Sequence, residues 1–101
     1  MEELIRNETL TIQNTAVSVV AEQVLSPLVR RAIVFTNTST LGQIITIAWG
    51  KSDVAAGEGV VLFPAGSWSE TLDARFTPSQ AKIYAISSAA NGTLAIHERL
   101  V

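Results

Sequence analysis

Apolar residues in this chain come in short bursts cut by Gly, Asn, Ser and Thr, among them Ala32-Ile33-Val34-Phe35, Ile44-Ile45-Thr46-Ile47 and Val60-Val61-Leu62-Phe63. Apolar and polar positions alternate in Thr9-Leu10-Thr11-Ile12-Gln13 and in Ser67-Trp68-Ser69-Glu70-Thr71-Leu72. That period of two belongs to strands, whose successive side chains point to opposite faces. Further strands are expected over 17–21, 31–36, 43–49, 60–63, 82–87 and 93–98, bounded by turn-forming residues. Ser26-Pro27 interrupts the pattern, because proline cannot donate to a central ladder. Asn91-Gly92 reads as a hairpin turn joining the last two strands, since both residues tolerate a positive φ. No segment carries a 3.6-residue stripe for more than one or two turns.

About eight short strands at this spacing predict an all-β fold, a two-sheet β-sandwich of jelly-roll or Greek-key type. Residues 1–8, with Glu2, Glu3, Arg6 and Glu8 around Leu4 and Ile5, read as a flexible N-terminal arm. Residues 9–101 then form a single β-sandwich domain.

Composition sharpens this picture. Of the 101 residues 48% are apolar and only 16% charged, where an average soluble domain has about 25% charged. A lone sheet with one wet face should alternate, yet several bursts are apolar on both faces. The surplus predicts a subunit that completes its burial against copies of itself or a larger assembly. Lysine, which commonly guards exposed strand edges, occurs only as Lys51 and Lys82. A net charge of −2 argues against duplex nucleic acid as a partner. No apolar run reaches the roughly 18 residues of a membrane span, and the acidic start lacks the pattern of a secretory signal.

Candidate chemistry is sparse. There is no cysteine, and His97 is the only histidine, so a zinc site or an acid–base pair built on His and Cys has too few members. His97 reads as an ordinary strand residue. Glu22, Asp53, Glu58, Glu70, Asp73 and Glu98 are spread along the chain; Asp53 and Glu58 flank a Gly-rich loop that lacks the dense oxygen ligands of a calcium loop. Gly57-Glu58-Gly59 lacks the following Lys-Ser or Lys-Thr of a phosphate cradle. No catalytic residue, metal or cofactor is expected. The aromatic residues are the stronger candidates. Trp49 reads as a core or interface anchor, Trp68 as an interface anchor or an exposed platform, and Trp49, Trp68 and Tyr84 are the rings a ligand-binding module would stack on sugars.

One arrangement goes further. It runs Arg31-Ala32-Ile33-Val34-Phe35-Thr36-Asn37-Thr38-Ser39, then Ile45-Thr46-Ile47-Ala48-Trp49-Gly50, then Gly59 to Gly66, and closes with Ile83-Tyr84-Ala85-Ile86-Ser87 and Leu94-Ala95-Ile96-His97-Glu98. This resembles the small β-sandwich structural proteins of bacterial viruses, the capsid decoration, vertex and minor coat proteins. In these an Arg-led strand ends in Asn-x-Ser, a Pro-Gly corner follows, and the last strand ends in an acidic residue. Here Ala65 is inserted between Pro64 and Gly66. The resemblance implies a non-enzymatic virion protein made in the host cytoplasm, a trimer or pentamer that docks on the major capsid protein or another virion protein. It implies no catalytic residue. Leu4, Ile5, Val61 and Trp68 are the interface residues expected on this reading, with strand faces around Val34, Ile45, Ile47, Val61 and Ile83 shared between interface and core.

Overall fold

The structure, a computed structural model, describes residues 4–20 and 29–101, and among these described residues there are eight strands and no helix. They are β1 (Leu4–Ile12), β2 (Val17–Val20), β3 (Arg30–Asn37), β4 (Ile45–Trp49), β5 (Val60–Leu62), β6 (Ser67–Thr71), β7 (Ile83–Ser87) and β8 (Gly92–Leu100). Two four-stranded sheets result, ordered β1-β8-β3-β6 and β2-β7-β4-β5, and every pairing is antiparallel. The pairs β4–β5, β3–β6, β2–β7 and β1–β8 nest like one long hairpin, rolled so that alternate pairs fall in opposite sheets. This is the jelly-roll strand order, a two-sheet sandwich as the alternation predicts.

The inward positions of both sheets supply one core. Ile33 and Phe35 of β3, Ile45 and Ile47 of β4, Ile83 and Ala85 of β7, and Leu94 and Ile96 of β8 are all buried in it. Trp49 packs against this core with its ring edge-on to Phe35, centroids 6.1 Å apart. Strand β4 is buried on both faces, Thr46 and Ala48 included. Its outer side is covered from within the chain: the loop after β4 folds back, Gly57 N–H donates to Thr46 Oγ1 at 3.0 Å, and Val54 is buried. Part of the apolar surplus is therefore absorbed by the subunit itself.

Two expectations are corrected. Residues 4–8 are no arm: Leu4 pairs with Leu100 and Glu8 with Ile96, so they are the first half of β1. Arg6 reinforces this by donating to Val19 O of the opposite sheet at 3.1 Å. Residues 1–3 lie outside the described residues, as do Glu22 and the Ser26-Pro27 break. Second, Asn91-Gly92 is not the turn of a β-hairpin, because β7 and β8 belong to different sheets. Asn91 has a φ of 62°, but Gly92 is required for space: a Cβ there would stand 2.6 Å from Ser87 Oγ. Of the strand faces expected to be shared between interface and core, Ile45, Ile47 and Ile83 have no exposure and fall to the core.

Candidate functional site

The motif residues that mark the sequence come together at two buried polar clusters, and both are structural. At one end of the sandwich a bulge between Arg30 and Ala32 turns Arg30 inward, where it is fully buried. Its Nε donates to Glu98 Oε2 at 2.6 Å, and Nη1 donates to the carbonyls of Ser79 and, at 3.3 Å, Ala81. Arg6 Nη1 reaches the other carboxylate oxygen of Glu98 at 3.4 Å. Gln80 completes the clamp: Oε1 accepts from Arg30 N–H at 2.7 Å and Nε2 donates to Arg30 O at 3.1 Å. A buried ion pair holds only when hydrogen bonds satisfy its remaining donors and acceptors, and this one ties β3 and β8 to the segment leading into β7.

At the opposite end Asn37 is fully buried. Its Nδ2 donates to Gln43 O at 2.9 Å and Leu62 O at 2.8 Å, while Oδ1 accepts from Ser39 N–H at 3.0 Å. Its own backbone accepts from Ala65 and donates to Gly66, the inserted Pro64-Ala65-Gly66 corner. Ala65 meets that corner with a φ of 68°. Gln43 extends the network to Ala90 O at 3.2 Å. The Asn-x-Ser, the corner and the acidic strand end are thus fold-locking devices, and none of these groups is left over for chemistry.

The remaining titratable groups do not converge. His97 is half-buried on the outer face of β8, with Nδ1 2.7 Å from Asn7 Oδ1, beside a shallow depression lined by Val34, Thr36 and Ala95. Asp53 and Glu58 both face Lys51, at 3.3 and 3.9 Å, and Glu58 also accepts from Ala55 N–H. Asp73 caps the turn through Arg75 and Phe76. Among the described residues no three His, Asp or Glu side chains gather to hold a metal ion, and no helix is long and apolar enough to cross a membrane.

The three candidate stacking rings fall on separate surfaces. Trp49 faces the core, Tyr84 lies on the outer face of the second sheet with Lys82 Nζ 5.7 Å from its ring centre, and Trp68 sits on edge strand β6 of the first sheet. The four expected interface residues are all exposed, Leu4 at 52%, Ile5 at 47%, Val61 at 38% and Trp68 at 40%. They form two groups. Leu4 and Ile5 begin β1 at one edge of the first sheet, whereas Trp68 lies on β6 at the other, and Val61 lies on β5, the sequence-adjacent edge strand of the second sheet. Phe63 at 63%, in the corner between β5 and β6, joins the second group and was not expected. The available signal was its place one step beyond buried Leu62, immediately before Pro64.

The outer face of the first sheet is nearly neutral. Along its outward rows, Asn7, His97, Val34 and Ser69 align, then Thr9, Ala95, Thr36 and Ser67, and Arg99 is the one ionised side chain on the outward positions of β3, β6 and β8.

No protein-family model and no curated protein matches the chain. Among solved structures it is similar to one described by the statement that Bacillus endospore appendages form a novel family of disulfide-linked pili. The likeness has a TM-score of 0.62 at 18% identity and covers 98% of this chain and 84% of that one. At this identity it shows a shared fold.

Proposed function

We propose that this chain is a non-enzymatic structural subunit that assembles with copies of itself. The observation that carries the reading is the side of the sandwich formed by β5, the corner and β6. There Val61 on β5, Phe63 in the corner and Trp68 on β6 are all exposed. Apolar exposure beside unpaired strand edges marks a surface meant to be covered. The fold likeness to a pilus-forming protein supports assembly in general, and the buried polar clusters, all consumed in structural bonds, support the absence of catalysis.

The finer reading is a capsid-associated subunit of a bacterial virus, of decoration, vertex or minor coat type, present in the virion and forming a trimer or pentamer on the capsid surface. The strand and corner pattern described above supports it. A ligand-stacking module has less support, because Trp49, Trp68 and Tyr84 do not share a surface.

Electron microscopy of the concentrated, negatively stained protein tests this reading. Closed rings or plates are expected for a capsid-type subunit. Continuous filaments would replace that finer reading with a pilus-type assembly, and dispersed single subunits would overturn self-assembly altogether.

A further inference from the structure

The four sheet edges are not equally protected. Strand β2 carries a register shift between Ser18 and Val20, and Arg6 occupies the carbonyl of Val19. Strand β5 has three residues, and β1 carries charged Arg6 and Glu8. Such bulges, short strands and charges are the usual means of blocking unwanted pairing. Strand β6 has five residues, Ser67-Trp68-Ser69-Glu70-Thr71, with no bulge, proline or lysine and a single charge, Glu70.

Its backbone orientation follows from its two ends. Gly66 O accepts from Asn37 N–H and Leu72 N–H donates to Arg31 O, so the even-numbered residues face β3. Alternation then turns the N–H and C=O groups of Ser67, Ser69 and Thr71 outward to the free edge. The side chains add a second pattern. Trp68 Nε1 makes only a long 3.3 Å bond to Glu70 Oε2, while Glu70 Oε1 is buried without a partner. A buried acceptor left unsatisfied is costly and calls for a donor.

Read in reverse, the strand matches itself. Antiparallel pairing centred on Ser69 sets Ser69 against Ser69, Ser67 against Thr71, and Trp68 against Glu70. The outward residues become hydrogen-bonded pairs, each exchanging two backbone bonds. Trp68 and Glu70 become non-hydrogen-bonded pairs, the class in which side chains approach more closely. Each indole N–H then faces the carboxylate of the other copy, and the small Ser and Thr side chains face each other on the outer surface.

We propose that β6 is a self-complementary docking edge, whose occupant is β6 of a second copy of this chain, related by a two-fold axis through Ser69. The two first sheets would join into one continuous sheet. An isologous contact of this kind closes on itself, so it makes dimers or joins rings in pairs. This inference rests on the self-assembly reading and names the contact.

Because the chain has no cysteine, Ser69→Cys introduces a single thiol at the axis. Hydrogen-bonded residues stand about 5.5 Å apart between Cα atoms, within disulfide reach. Ser67→Cys pairs with residue 71 instead, so its two copies stand about 13 Å apart, four residues along a strand. Under mild oxidation Ser69→Cys is expected to give a cross-linked dimer, Ser67→Cys alone none, and a mixture of Ser67→Cys with Thr71→Cys a cross-linked heterodimer. A second variant, Ser69→Pro, removes an N–H that faces away from β3; it is expected to keep the β-sheet circular dichroism signal and halve the solution mass. If the unsubstituted chain is larger than one subunit, yet Ser69→Cys cross-links no faster than Ser67→Cys and Ser69→Pro leaves the mass unchanged, this edge is not the contact and self-assembly stands. If the unsubstituted chain has the mass of one subunit at every concentration, self-assembly itself fails and this contact with it.

Discussion

Glu98 and Asn37 carry more of this fold than their single side chains suggest, because each answers several buried groups at once. Glu98→Ala would leave Arg30 charged and fully buried without its carboxylate. Breaking a buried pair from one side typically costs about 3–5 kcal/mol, and that loss should appear in urea unfolding as a lowered midpoint. Replacing both partners, Arg30→Met with Glu98→Leu, is expected to recover most of it; a double variant as unstable as Glu98→Ala would show that the clamp on Ser79 and Ala81 matters more than the pair. At Asn37 the decisive point is direction. The side-chain amide donates to two carbonyls, those of Gln43 and Leu62. Asn37→Asp turns that donor into an acceptor facing two acceptors, so it should cost more than Asn37→Ala, itself about 1–3 kcal/mol for each carbonyl left unsatisfied. Equal unfolding midpoints for the two variants would contradict this account. Chain order alone names both residues as part of a pattern, the Asn-x-Ser strand end and the acidic strand end. It does not show that they are buried, because Glu98 depends on the bulge that turns Arg30, 68 positions away, inward, and Asn37 on carbonyls 6 and 25 positions away.

At the level of elements, local alternation was enough to place most strands, and the errors share one cause. Residues 4–8 have charges at Arg6 and Glu8 that look like solvated surface. In the fold Arg6 is paired with Glu98 and with Glu8, and the strand is held by its full ladder to β8. Removing residues 1–8 should therefore lower the thermal midpoint by several degrees as well as remove Leu4 and Ile5 from the surface. An unchanged midpoint would show that the first half of β1 adds nothing to the sandwich. The turn before β8 teaches the same lesson: Asn-Gly signals a turn, but the chain crosses between sheets there, and Gly92 is selected by the closeness of Ser87. Gly92→Ala is expected to destabilise, and Ser87→Ala to rescue part of the loss, since Ser87 Oγ is the nearest atom to the added methyl. Additive unfolding energies in the double variant would argue against that contact.

For the whole molecule, the balance of apolar and charged residues separates into what the subunit buries for itself and what it leaves outside. The jelly roll covers the outer face of β4 with its own loop, which neither composition nor periodicity could reveal, because the loop reads as polar and glycine-rich. Among the large apolar side chains it leaves exposed are Val61, Phe63 and Trp68, Leu4 and Ile5, and also Leu41, Phe76, Val17 and Val29. If the chain assembles as proposed, that remainder, the neutral outer face of the first sheet and the β6 edge are the surfaces available to it. Val61→Glu changes an exposed side chain on an edge strand. It should leave the fold intact and weaken oligomers only where the β5 side is an interface, as read by sedimentation.

The most direct test of assembly is the solution mass of the purified chain, by light scattering coupled to size exclusion, across a wide concentration range. The account predicts a discrete multiple of the 10.8 kDa subunit mass. A steady 10.8 kDa at every concentration would contradict it.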